Sequence, residues 1–249
     1  SDLAGRKIYN EQFGYASPKV CCAWFDENRA MSETCHNGEA FNVAHSQFIQ
    51  KRCQFLHKQP IRRRATIVPF DIDYHGERQT AFYQAIAEQL LNHAWQFHQH
   101  HHVTAKDKNV SIGLIRMANI QPLIKIAQAM HQLQAFDHQA DTQLYLCCYH
   151  SQQVLALRNR LENRLDSILT RKNVSAEDFI QRPDITKAMG KHPHKTHHIF
   201  IVLATPVAEV GRDHDYDWAM VEPSSMRSII QLAGRVWRHR AELVADTPN

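Results

Sequence analysis

The sequence predicts an α/β fold in which a mostly parallel sheet is flanked by helices. Three observations predict it. Short apolar runs of strand length alternate with longer stretches whose apolar residues recur at three- and four-residue steps. A polar, glycine-bearing loop follows one of those runs, at the strand end where open α/β sheets gather ligands. Hydrophobic residues make up 43% and charged residues 22% of the 249-residue chain, a composition that supplies a core and argues against wholesale disorder.

Strands are expected over 20–25, 66–70, 110–116, 144–149, 199–204 and 218–222, each an apolar run too short for a helix. Helices are expected over 78–99, 122–136, 152–169 and 225–236. Within 122–136, Leu123, Ile126, Ala127, Met130 and Leu133 form one apolar stripe to lie on a sheet. Residues 1–17 have little periodicity, and 26–38 are polar, so the region before about 65 reads as linker with a peripheral strand and helix. Residues 184–198, rich in Lys, His and Pro, read as a loop before the strand at 199.

The chemistry-bearing residues fall in two blocks. One is Gln231-Leu-Ala-Gly-Arg-Val-Trp-Arg238, with two arginines three residues apart after a glycine. On a helix Arg235 and Arg238 share a face, and planar guanidinium forks can each bridge two phosphate oxygens. The other block, 204–217, follows the run Ile199-Phe-Ile-Val-Leu203 and carries Thr205, Glu209, Gly211, Asp213, Asp215 and Asp217. Gln231, Gly234, Arg235 and Arg238 fit Q-x-x-G-R-x-x-R and resemble motif VI of the second helicase superfamily, while Thr205, Glu209, Gly211 and Asp213 resemble motif V.

Residues 204–218 and 222–240, together with 113–120 and 148–151 in the region of motif IV, resemble the CRISPR-associated helicase–nuclease of type I-F interference systems, in the form fused to the small integration-complex subunit. The resemblance covers most of residues 110–240. It implies a RecA-like three-layer sandwich over 66–249, preceded by an inter-lobe linker and peripheral elements over 1–65. It also implies the second motor lobe of an ATP-dependent single-stranded DNA helicase or translocase, acting with a nuclease against foreign DNA. Arg235 and Arg238 are then arginine fingers, a device worth roughly a thousandfold or more in rate. Gln231, Gly234, Gly211 and Asp213 are expected at ATP; Thr205, Arg116, Asn119, His150 and Ser151 are expected at nucleic acid. No metal ligand is expected in this chain.

The chain has no G-x-x-x-x-G-K-[ST] loop and no D-E-x-[DH] segment after a buried strand. ATP and magnesium would therefore be held mainly by a first lobe outside this sequence, and nuclease metal ions by an HD domain also outside it. The chain reads as a fragment inactive as an ATPase alone. Implied partners are that first RecA-like lobe and HD nuclease domain, single-stranded DNA, the RNA-guided CRISPR surveillance complex, the CRISPR integrase and an anti-CRISPR inhibitor protein. No membrane partner is expected, and the location implied is the bacterial cytoplasm. Two other readings remain open: the lobe of another superfamily-two RNA or DNA helicase, and a non-catalytic RecA-like module that docks a protein.

Net charge is +4, and its distribution marks two basic clusters. Lys51, Arg52, Lys58, Arg62, Arg63 and Arg64 form one; Arg158, Arg160, Arg164, Arg171 and Lys172 form the other. Each is either a solvated surface or a track for phosphates. His214-Asp215 reproduces the dipeptide of HD nucleases but lacks the further ligands such a site needs. His98, His100, His101 and His102 read as a helix end, Trp218 and Trp237 as core. None of the six cysteines forms a C-x-x-C pair, so reduced thiols are expected.

Overall fold

The computed structural model describes residues 20–25, 30–70, 72, 79–133, 141–209 and 211–249. The chain divides into two compact units between Pro60 and Ile61. The expected boundary at 65 would have left Arg62, Arg63 and Arg64 in the linker; they belong to the larger unit. The expectation for residues 1–17 lies outside the described residues.

In the smaller unit, β1 (Val20–Phe25) and β2 (Ala30–Cys35) pair antiparallel, with Cys22 opposite Glu33. Helix α1 (Gly38–Leu56) starts at Asn37, whose Oδ1 accepts from the Ala40 amide at 2.8 Å, a side-chain N-cap. Cys22, Trp24, Cys35, Ala44 and Phe48 are its buried core. Strand β2 falls in the segment read as polar, because Ser32, Glu33 and Thr34 interrupt its apolar residues.

The larger unit runs α2 (Gln79–His101), β3 (Val103–Ala105), β4 (Lys108–Arg116), α3 (Ile120–Gln132), β5 (Thr142–Tyr149), α4 (Leu155–Leu169), α5 (Ala176–Ile180), α6 (Pro183–Met189), β6 (His197–Ala204), a 3-10 turn (Pro206–Glu209), β7 (Trp218–Val221) and α7 (Met226–Ala233). Strands β5, β6, β4 and β7 are parallel neighbours in that order, and β3 pairs antiparallel with the start of β4. The β3–β4 turn is Lys106-Asp107, both at positive φ (51° and 60°). That geometry favours Asn-Gly or Asp-Gly, which is why the hairpin left no sequence signal.

Alternation along the central strands makes three layers. Val110, Ile112, Leu114, Val202 and Ala204 face Leu165 and Leu169 of α4, Phe179 and Ile180 of α5, Ile185 of α6 and Leu232 of α7. Ile115, Ile199, Ile201 and Leu203 face Leu90, Leu91 and Ala94 of α2 and Leu123, Ile126 and Met130 of α3. Gly113 lies beside Trp218 in the register. A Cβ there would land inside the Trp218 indole, whose Nε1 donates to Ser111 Oγ at 3.2 Å and whose ring stacks on Phe97. Strand β4 thus needs a glycine where the tryptophan crosses it.

The expected strand at 66–70 is irregular chain instead. Pro69 lacks a ladder donor, and Ile67 is 93% exposed, so among the described residues the run joins no sheet. The expected loop at 184–198 holds α6, which Pro183 opens at the first helical turn, a position where its missing N–H costs nothing. The helix expected over 225–236 stops at Ala233, with Gly234 as its C-cap. Residues 134–136 of the helix expected over 122–136, and residue 78 of that expected over 78–99, lie outside the described residues; the rest of both segments is helical except Leu133, the C-cap of α3. Among the described residues no helix is long and apolar enough to cross a membrane.

Candidate functional site

Register places the ends of four parallel strands at one level. Ala204 of β6 pairs with both Arg116 of β4 and Tyr149 of β5, and Arg116 also pairs with Val221 of β7. Asn119, His150, Ser151, Thr205 and Glu222 therefore leave the sheet along its carboxyl edge. The 3-10 turn and the loop to residue 217 rise from that edge, and the segment after α7 folds back onto them.

The blocks 204–217 and 231–238 meet through main chain as well as side chains. Tyr216 and Val236 form a parallel bridge: the Tyr216 amide donates to Arg235 O at 2.8 Å and the Trp237 amide to Tyr216 O at 3.0 Å. Arg235 is 5% exposed, and its two terminal nitrogens donate to Arg212 O and, at 3.0 Å, to Glu209 O. Arg238 is half exposed and donates from Nε to Asp213 Oδ1, while His239 Nε2 lies 3.0 Å from Asp213 Oδ2. Burial works to raise the Asp213 pKa, but Arg238 and His239 overcome it and hold the carboxyl below its ordinary range.

The expectation that Arg235 and Arg238 lie on one helix face is thus corrected. The helix ends before both, and Trp237 between them sits in the left-handed region at φ 50°. One guanidinium consequently points into the domain and the other outward. Gln231 is half-buried on α7 and Gly234 caps it. Gly211, at φ 74° with open space around it, supplies the left-handed turn that leads to Asp213.

Arg116 also departs from its expected place at nucleic acid. It is 2% exposed. Its guanidinium pairs with Glu209 Oε1 at 2.8 Å, donates to Glu222 O at 3.0 Å and reaches Ser228 Oγ at 3.4 Å, while Ser228 Oγ donates to Glu209 Oε2 at 3.1 Å. Its charge ties β4 to the 3-10 turn through Glu209 and to α7 through Ser228. Thr205 is 4% exposed, with its amide donating to Tyr149 O at 3.3 Å. Asn119, at the start of α3, is exposed with no side-chain capping bond. His150 is half-buried, its amide donating to Gln153 Oε1 at 3.3 Å, and exposed Ser151 accepts from Arg158 at its carbonyl.

Beneath the loop lies a buried ion cluster whose pairing was not read from the sequence. Arg240 donates to Oδ1 of both Asp215 and Asp217 at 2.6 Å, and Arg171 donates to Asp217 Oδ1 at 2.8 Å. Asp217 Oδ2 accepts from the Ile112 amide at 2.7 Å. Burial pushes the Asp217 pKa up; Arg171, Arg240 and that amide more than reverse it, leaving a carboxylate held below the usual range. The available signal was the Asp-x-Asp spacing around Tyr216, which sets both acids on one side of an extended chain. His214 and Asp215 are committed internally, since His214 Nε2 contacts Asp166 Oδ1 at 2.9 Å. Among the described residues no group of three or more His, Cys, Asp or Glu could hold a metal ion.

Many basic residues are bound to the protein itself. Arg164 pairs with Asp184, Arg158 with Glu162, and Arg171 lies over the Phe179 ring at 3.8 Å. Arg62, Arg63 and Arg64 donate to main-chain carbonyls near the end of the chain. Arg238, with its side chain 42% exposed, lies beside the loop that carries Asp213.

Residues 109–241 match the family described as CRISPR-associated nuclease/helicase Cas3, C-terminal. The chain is 43% identical, over 253 aligned residues and 99% of its length, to a Pectobacterium atrosepticum protein described as CRISPR-associated nuclease/helicase Cas3 subtype I-F/YPEST. It is 40% identical over 96% of its length to the Pseudomonas aeruginosa protein of the same description. It spans 22% of each relative's length. Among solved structures, T. fusca Cas3 aligns with 77% of this chain and 17% of its own, at 17% identity and a TM-score of 0.43; the AMPPNP form aligns over the same shares at 15% and 0.45.

Proposed function

The chain belongs to the CRISPR-associated nuclease/helicase Cas3 family, as part of its C-terminal region, and on that premise we propose that it forms the second motor lobe of an ATP-dependent single-stranded DNA translocase acting with a nuclease against foreign DNA. The carrying observation is the junction of Arg238 with Asp213, which sets a half-exposed guanidinium at the carboxyl edge of a parallel sheet.

In this reading ATP and magnesium are held mainly by a first lobe elsewhere in the longer protein, and Arg238 approaches the γ-phosphate from the second. Charge developing there in a loose transition state is met by the planar fork, which leaves the Asp213 carboxylate for phosphate oxygens. Arg235 acts as a finger only if it is released from Glu209 O and Arg212 O; bound as it is, it fixes the motif V loop under Arg238. Gln231, Gly234, Gly211 and Asp213 shape the nucleotide side. Thr205, Asn119, His150 and Ser151 line the edge along which a DNA backbone would run, Arg116 acting on it only through Glu209. The nuclease, the RNA-guided surveillance complex and the integrase would engage other parts of the protein.

The test is ATP turnover by the full-length protein, with and without single-stranded DNA, for the native sequence, Arg235→Ala and Arg238→Ala. DNA-stimulated turnover should fall a hundredfold or more in Arg238→Ala, the low side of what a finger supplies (~10³). Native turnover in both variants would sink the motor reading in favour of a docking module. Stimulation by RNA equal to that by DNA would move the chain's substrate to RNA.

A further inference from the structure

Trp237 is a bulky residue held in the left-handed region, at φ 50°, between Arg235 and Arg238. Such a conformation is strained for a side chain with a Cβ and persists only where surrounding contacts over-determine it. Its amide donates to Tyr216 O at 3.0 Å, and its ring is 7% exposed, packed with Val236 and Ala245. Its carbonyl receives Arg62 Nη2 at 3.1 Å and Arg63 Nη2 at 3.4 Å. Arg62 Nη2 also reaches Arg240 O at 3.1 Å, and Arg63 Nε donates to Val236 O.

The turn from residue 236 to 240 belongs to no helix, and a carbonyl turned away from water needs a donor. Two neighbouring arginines, about 175 residues upstream, supply donors to three of these carbonyls. Guanidinium suits this task because several N–H groups leave one rigid plane; an ammonium offers a single point. Placing two cations side by side is unfavourable, and burial together with the Arg62 charge lowers the Arg63 pKa. The arrangement also faces both groups toward the protein's own backbone and away from any phosphate track.

We propose that Arg62 and Arg63 are positioning residues: a strap that holds the Trp237 turn and thereby fixes the outward direction of Arg238. This rests on the motor reading above for its catalytic consequence but on the carbonyl contacts alone for its conformational one. A finger displaced by about 1 Å can lose on the order of a hundredfold in rate.

The experiment uses full-length protein carrying Arg62→Lys, Arg63→Lys, both together, or Lys51→Ala as a charge control. Amide hydrogen exchange over residues 234–240, kcat and KM for ATP under saturating single-stranded DNA, and DNA affinity against salt are measured. Lysine keeps the charge and stem, so the fold is retained while the fork is lost. The strap predicts exchange faster by about tenfold or more in the double variant, kcat lower by about tenfold or more, and KM, DNA affinity and salt slope as in the native protein. Native exchange over 234–240 overturns it whatever happens to turnover. A weaker DNA affinity and shallower salt slope with native exchange would instead make the two arginines DNA contacts. Arg238→Ala, run in parallel, separates the readings: native turnover there overturns the finger, while the exchange result still decides the strap.

Discussion

Arg238 donates from Nε to Oδ1 of Asp213, joining two residues 25 apart in sequence. Both side chains are about half exposed, at 42% and 52%. A pair so exposed adds about 0–1 kcal/mol to stability. The contact therefore adds little to stability, and it leaves the guanidinium facing outward.

Arg238→Ala and Asp213→Asn should accordingly separate activity from stability. In the full-length protein, DNA-stimulated ATP turnover should fall about a hundredfold in Arg238→Ala, with unfolding free energy within about 1 kcal/mol of native in both variants. Urea denaturation followed beside turnover checks this. A loss of several kcal/mol would return the pair to a scaffolding role.

The Asp217 cluster should behave in the opposite way. Asp217 is wholly buried between Arg171 and Arg240. Removing one partner of such a group leaves charge uncompensated in a low-dielectric interior, at about 3–5 kcal/mol. Asp217→Ala should therefore lower the urea midpoint sharply, because it strands two arginines. A midpoint equal to native would show that water reaches the cluster.

Gly113→Ala should destabilise by about 1–3 kcal/mol or more, the range for overpacking a filled core, because its Cβ meets the Trp218 indole. The double variant Gly113→Ala with Trp218→Phe removes the collision, and should cost less than the sum of the two single changes. Simple additivity would mean that the indole already moves aside.

Stability should fall as pH drops below neutral. Burial, then the neighbouring His102 and His197, push the His98 pKa down to about 3; burial pushes His198 down to about 4. An unfolded histidine binds its proton near 6.5, so the unfolded chain holds more protons than the folded one between about 6.5 and those lower values. The stabilisation from keeping each ring neutral is complete above about 6.5 and is lost as pH falls toward the folded value. The slope is about 1.4 kcal/mol per pH unit for each such group. Unfolding midpoints at pH 7.5, 6 and 5 test this, with His98→Gln expected to flatten the slope by one group. A flat profile would show that these rings admit a proton while folded.

Several features were legible because they depend on neighbours in sequence. Strands β1, β4, β5, β6 and β7 announce themselves as apolar runs, and the stripe Leu123, Ile126, Met130 is the face of α3 buried on the sheet. Motifs V and VI are visible as spacing. Other features were not. Residues 184–198 read as a loop until the place of Pro183 at the first turn of α6 is known, and the β3–β4 hairpin uses Lys106-Asp107, residues that do not advertise a left-handed turn. Arg62 and Arg63 read as a basic patch because nothing in their own segment shows that carbonyls at the far end of the chain await them.

The sequence by itself determined the α/β alternation and the positions of the two residue blocks that carry the family resemblance, since periodicity and spacing are one-dimensional properties. Tertiary structure alone decided which charges are buried in internal pairs and which stand exposed. Arg116, Arg235 and Arg238 look alike in the chain, yet one is buried against Glu209, one is bonded to two loop carbonyls, and one stands half exposed beside Asp213. A guanidinium's role depends on what surrounds it, because burial makes an unpaired charge costly and a partner consumes its donors. Those surroundings come from segments distant in sequence.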